Sequence, residues 1–173
     1  MDFKTLLPDF EAIKKTDWKK PQVDTKNTKK LAMLICAGLM LVFVFFAWLK
    51  LTANNGVVTY EGSKMGIATW YGFFAFLCAL AAVAGCVYNH TTLTFCAAVL
   101  GILFALIGLM SFPEITVSAT YRGQTDTEVI KDANHWEECA KMFKTVTTSY
   151  VGAGLYLFAS IGTAVLAFLN AKK

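Results

Sequence analysis

Between Lys64 and Glu114 the chain carries no charged side chain, and this is the feature that most limits its fold. A bilayer core about 30 Å thick is crossed by about 20 helical residues. The stretch is too long for one crossing and suits two with a turn between them. Its polar cluster "YNHTT", Tyr88 to Thr92, supplies the turn. Two further blocks, Leu31 to Leu49 and Thr145 to Ala171, are also uncharged, and each fits one span. The spacing predicts spans at about 31–49, 67–88, 92–112 and 146–170. The 173 residues are 56% hydrophobic, against about 45–50% in soluble domains, and the excess is concentrated in these blocks.

Charge placement sets an orientation. Lys4, Lys14, Lys15, Lys19, Lys20, Lys26, Lys29 and Lys30 precede the first block, and Lys172 and Lys173 follow the last. The segment before the last span carries Glu114, Asp126, Glu128, Asp132, Glu137 and Glu138 against Arg122, Lys131, Lys141 and Lys144. Basic residues stay on the cytoplasmic side, so both termini are expected in the cytoplasm, and the chain in a plasma (bacterial inner) membrane. The N-terminal residues are polar, which is not the pattern of a cleavable leader. Residues 1–30 read as a cytoplasmic segment. Within it "LPDFEAIKKTDWKK" resembles an interfacial amphipathic helix, with Pro8 at its first turn and Phe10 and Ile13 on one face. Acids interleave these lysines and a span follows them, so nucleic-acid binding is not expected.

Residues 31–173 read as the membrane domain, with an outer cap from 50–66 and 113–145. Asn55-Gly56 predicts a two-residue hairpin between "KLTAN" and "VVTYE". "EITVSATY" alternates Ile115, Val117, Ala119 and Tyr121 with polar residues, as a half-buried strand does. "RGQT" turns the chain. Thr125 and Glu128 match a capping box. Val129, Ala133, Trp136, Ala140 and Phe143 then form an apolar stripe, predicting an outer helix over 125–143. The expected fold class is an all-α membrane protein: a four-transmembrane-helix bundle with a small extracytoplasmic α/β cap of about three strands and one helix.

The spans carry small residues rather than chemistry. Ala97, Gly101, Ala105 and Gly108 share one side of the third span. Gly72, Ala75 and Ala79 in the second and Gly152 in the fourth extend the set. Lipid offers no hydrophobic drive for helices to associate, so close backbone approach supplies it. The bare side of the third span is expected to meet the second. No Asp, Glu, Lys, Arg or His lies within a predicted span, which removes the usual means of proton relay or intramembrane catalysis. His90 and His135 are far apart in sequence, with no carboxylate at ligand spacing, so no metal site is expected. No phosphate loop, HExxH, GxSxG or CxxC is present. Catalytic residues, metal and cofactor are therefore expected to be none. Of the cysteines, Cys36, Cys78, Cys86 and Cys96 fall in spans, and Cys139 alone lies in an outer loop, where a free and partly buried thiol is expected over an intermolecular bridge.

In the last span "GAGLYL", Gly152 to Leu157, is similar to a run found in small uncharacterised bacterial four-span proteins. The layout also resembles the tetraspan type of claudins and tetraspanins. The second outer segment has no Cys-Cys-Gly and the first no Trp and paired Cys, so the marks of those two families are absent. The resemblance implies a four-span fold and brings no activity.

The reading that follows is a non-enzymatic integral membrane protein acting through protein–protein interaction, as an accessory subunit, assembly factor or immunity-type protein. An oligomeric pore or carrier is the alternative. Partners are membrane lipid and a protein, or further copies of the chain. Tyr60, Glu61, Arg122, Gln124, His135, Trp136 and Glu138 are the candidate partner-binding residues. Trp136 sits mid-stripe, and its spacing favours covering the sheet over meeting a partner.

Overall fold

The computed structural model describes residues 10–15, 20, 21, 23, 27–121 and 124–171. The elements run α1 (Phe10–Lys14), α2 (Thr28–Phe43), β1 (Ala47–Asn54), β2 (Thr59–Met65), α3 (Trp70–Val87), α4 (Thr91–Met110), β3 (Ile115–Tyr121), β4 (Gln124–Ile130), α5 (Ala133–Ala140), β5 (Thr145–Ser149) and α6 (Val151–Ala171). Of the expected N-terminal helix only Phe10–Lys14 is seen; Phe3, Leu6, Leu7 and Pro8 lie outside the described residues.

The expected all-α four-span bundle is corrected in two ways. Strands are a major part of the fold, in one five-stranded antiparallel sheet of order β4-β3-β2-β1-β5. Among the described residues three helices, α3, α4 and α6, are long and apolar enough to cross a membrane. The first uncharged block is not one helix. It splits into α2, of 16 residues, and the start of β1. At 1.5 Å per residue α2 is about 24 Å long, short of a hydrocarbon core of about 30 Å. It packs against α3 and α6.

Carbonyls around the end of α2 show why the split is stable, since a helix end must find outside donors. The Trp48 indole Nε1 donates to the Phe43 carbonyl at 3.0 Å. Ile67 N–H donates to Val44 O and Gly66 N–H to Phe46 O. The Trp48 ring lies against Tyr71 and Tyr156, with centroids 6.0 and 5.4 Å away. Aromatic and β-branched residues also suit a strand, so the chain leaves α2 and continues as β1.

The other turns have local causes. Thr69 caps α3, its Oγ1 accepting from Gly72 N–H at 3.1 Å. Between α3 and α4, Asn89 takes φ +58°, a left-handed position that Asn tolerates. The first hairpin turns where Asn55-Gly56 predicts, but its last pair is Asn54 with Thr59, so the loop has four residues rather than two. Asn55 Oδ1 accepts from the N–H groups of Val57 and Val58 and holds it.

The predicted outer helix over 125–143 is also corrected. Its first part, from Thr125 to Ile130, belongs to β4, which pairs with β3 from Ile115↔Ile130 to Tyr121↔Gln124. The helix is only Ala133–Ala140, and its cap is Asp132, whose Oδ1 accepts from His135 N–H at 2.8 Å. Thr125 and Glu128 are strand residues and cap nothing. β5 adds a further strand where the fourth span was expected to begin, pairing with β1 from Lys50↔Ser149 to Asn54↔Thr145.

Two cores result. One lies among α2, α3, α4 and α6 and includes Met40, Trp48, Tyr71, Ala75, Ala79, Ala97, Ala105 and Tyr156. The second lies between the sheet and α5: Leu49, Leu51, Ala53, Ile115, Val117, Ile130, Trp136 and Cys139. The small side of α4 meets more than α3. A Cβ on Gly101 would stand 3.0 Å from Met40 Cε in α2, 3.0 Å from Tyr156 Oη and 3.3 Å from Ser160 Oγ in α6. Near the sheet, a Cβ on Gly108 would stand 2.7 Å from the Trp48 ring, and one on Gly152 2.5 Å from Ala47 O. Gly72, also buried, approaches the Gly66 carbonyl closely.

Replacing Gly101 with Leu is expected to force α4 away from α6, a loss of about 1–3 kcal/mol or more. Thermal unfolding in mild detergent reads this as a lowered midpoint, while Gly154→Leu, in open space, leaves it unchanged.

Candidate functional site

The chain connections put the sheet at one end of the helices. α2 leads into β1, β2 leads to α3, α4 leads into β3 and β5 leads into α6. Directly paired residues point to the same face of a sheet. The register puts Leu51, Gly62, Val117, Glu128 and Thr148 on one face, and Thr52, Glu61, Ser118, Thr127 and Thr147 on the other. The first face is covered by α5. Trp136 is 5% exposed there and its Nε1 donates to Thr148 Oγ1 at 3.1 Å. Gly62 has no room for a side chain, since a Cβ would meet Thr116 O at 2.6 Å.

The second face has no covering element among the described residues. Thr116, Ser118 and Thr120 from β3, Thr125 and Thr127 from β4, and Thr145 and Thr147 from β5 are all exposed. Its charged pair is Lys50 with Glu61, 3.7 Å apart and about half exposed. The result is a broad hydroxyl surface with little net charge.

The candidate partner residues do not form one patch. Tyr60 and Gln124 share an open cleft of about 670 Å³ at the tip of the covered face, with Val58, Ala119, Tyr121, Thr125 and Asp126. The Tyr60 hydroxyl donates to Asp126 Oδ2 at 3.1 Å, and that bond, ahead of the neighbouring negative charge, raises the Tyr60 pKa. Glu61 lies on the opposite face. His135 and Glu138 line a shallow cleft beside α5 with Lys131, Asp132 and Asn134. Trp136 is core, so it offers no exposed aromatic anchor. Arg122 lies outside the described residues.

Sequence reasoning missed one constellation. His135 and Cys139, four residues apart on α5, stand beside Glu128 of β4. His135 Nε2 is 3.5 Å from Glu128 Oε1, and Cys139 Sγ donates to the same oxygen at 3.5 Å. Cys139 is free and buried, further from solvent than the partly buried loop thiol expected. Burial first, then its hydrogen bond to Glu128, push the Cys139 thiol pKa up. That is the opposite of what an attacking thiolate needs. The carboxylate also sits between thiol and imidazole instead of orienting the imidazole from behind, so this is not a nucleophile–base–acid relay. The i, i+4 spacing of His135 and Cys139 is visible in sequence. Glu128 is not, because the capping-box pattern draws it into a helix.

No protein family, curated protein or solved structure matches this chain.

Trp136→Ala is expected to cost about 3–5 kcal/mol, as for other buried tryptophans, and to reduce yield and thermal midpoint. Glu137→Ala, exposed on the same helix, changes the midpoint little, within about 0.5 kcal/mol.

Proposed function

We propose that the chain is an integral membrane protein whose sheet layer docks a protein partner outside the membrane, with no reaction of its own. The observation that carries this reading is the open hydroxyl face, held on a sheet whose other face and whose connections to the helices are packed. Such a surface is rigid and pre-organised, which lowers the cost of binding. The edge strands β4 and β5 add backbone groups that an extended partner segment can pair with. Lys29 and Lys30, at the start of α2, lie at the end of the helices away from the sheet. By the positive-inside rule this end faces the cytoplasm, which puts the sheet on the far side of a plasma membrane.

Five polar side chains of the helices and their ends that could line a pore are engaged within the chain, which favours the docking reading over a carrier. The Tyr156 hydroxyl donates to Ala75 O at 2.7 Å, Ser160 to Tyr156 O and Thr163 to Ala159 O. Thr94 donates to His90 O, and Thr69 to Gly66 O while capping α3.

Purification from native membrane in mild detergent tests the function. A stoichiometric partner is expected, lost with Ser118→Arg at the centre of the open face and kept with Glu137→Arg on α5. Recovery of the wild-type chain alone would contradict the reading. Impermeant thiol labelling of intact cells tests the orientation. A cysteine at Thr127 is expected to react and one at Thr28 to stay unlabelled; the reverse result would invert the topology.

A further inference from the structure

We propose that Glu128, His135 and Cys139 form a Zn²⁺-type metal site on the sheet layer, with the fourth coordination position open to solvent. The site is independent of the docking reading. Each residue offers one ligand atom, and these atoms all lie within 4.8 Å of one another. A tetrahedral Zn²⁺ with bonds of about 2.0–2.3 Å holds its ligand atoms about 3.3–3.8 Å apart. The two separations through Glu128 Oε1 are 3.5 Å each, so the donors converge at nearly the spacing the ion requires.

The fold sets this geometry from two elements. Positions i and i+4 of a helix share a face, which aligns His135 with Cys139. Glu128 pairs with Val117 and therefore points toward α5. Asp132 caps α5 on the His135 amide and fixes where the helix starts, hence which side carries the two donors. The thiol is buried in the second core at its back, while the Glu128 and His135 side chains are 48% and 35% exposed. Water can thus reach the front of the site and supply the fourth ligand. Thiolate, imidazole and carboxylate together suit Zn²⁺ rather than Mg²⁺ or Ca²⁺, which take oxygen ligands.

Binding has a proton balance. The Cys139 thiol releases its proton to solvent, so thiolate and carboxylate neutralise the dication. The imidazole must present an unprotonated Nε2 and carry its proton on Nδ1. The Lys131 N–H now points at Nδ1 across 3.5 Å, a contact at the outer limit of a hydrogen bond, and it opens when the ion binds. Asp132 and Glu138, in the cleft beside His135, add negative potential that offsets Lys131.

The test uses the full chain in mild detergent, stripped with chelator and kept reduced without added thiol, and titrated with Co²⁺ as the spectroscopic stand-in for Zn²⁺. One Co²⁺ per chain is expected, with a thiolate-to-Co²⁺ charge-transfer band that Zn²⁺ abolishes. Cys139→Ser should remove the band. Glu128→Gln and His135→Gln, at partly exposed positions, should keep the metal-free thermal midpoint and weaken binding by at least about 10–100-fold, the loss that even outer-shell changes cause. Absence of the band at millimolar Co²⁺, or a band that survives Cys139→Ser, would overturn the proposal. So would affinity unchanged by both Glu128→Gln and His135→Gln.

Discussion

Trp48 is the joint on which the structure depends. Its ring is 2% exposed and packs against Tyr71 of α3 and Tyr156 of α6. Close glycines make the space: a Cβ on Gly66 or Gly108 would collide with the indole, and one on Gly152 would stand 3.0 Å from it. Its Nε1 satisfies a carbonyl at the end of α2, while its backbone is already part of β1. One side chain therefore closes a helix, opens a strand and fills the end of the helical core. A buried indole N–H needs a partner, and it finds one in the Phe43 carbonyl, which also accepts from Phe46 N–H at 3.2 Å.

From that joint the sheet follows. β1 is flanked by β2 and β5, and it contributes Leu49, Leu51 and Ala53 to the core beneath α5. β5 runs through Tyr150 directly into α6, whose Gly152 lies against the Ala47 carbonyl. Helices and sheet thus share the two chain segments at 44–49 and 149–153. This is what holds the open hydroxyl face, and the Glu128–His135–Cys139 cluster on the other side, in fixed relation to the apolar helices.

The long helices are legible in the sequence because a helix that crosses hydrocarbon needs about 20 residues without charge. α3, α4 and α6 are where the uncharged blocks predict them. β3 is legible from its alternation, and the β1–β2 turn from Asn55-Gly56. What fails has two causes. Missing charge reports the solvent a segment avoids, not its backbone conformation, and a short apolar run suits helix or buried strand equally. Ala47 to Leu49 and Thr145 to Ser149 lie inside uncharged blocks, and absence of charge alone makes them helix. Their threonines and aromatics favour a strand. At β4 a capping-box pattern coincides with exposed strand residues, and the apolar stripe crosses Ile130 to Ala133, where the chain turns. That coincidence conceals Glu128. His135 and Cys139 are visible as residues, but a ligand contributed from another element has no signal in one sequence.

The central claim is that helices and sheet form one cooperative unit joined through Trp48. Hydrogen exchange measured by mass spectrometry on the Trp48→Ala chain in mild detergent tests it most directly. Peptides covering β1 and peptides covering the first half of α6 are expected to lose protection together and to similar extent. Loss confined to the sheet, with α6 as protected as in the wild-type chain, would show that the two parts stand separately and would contradict the account.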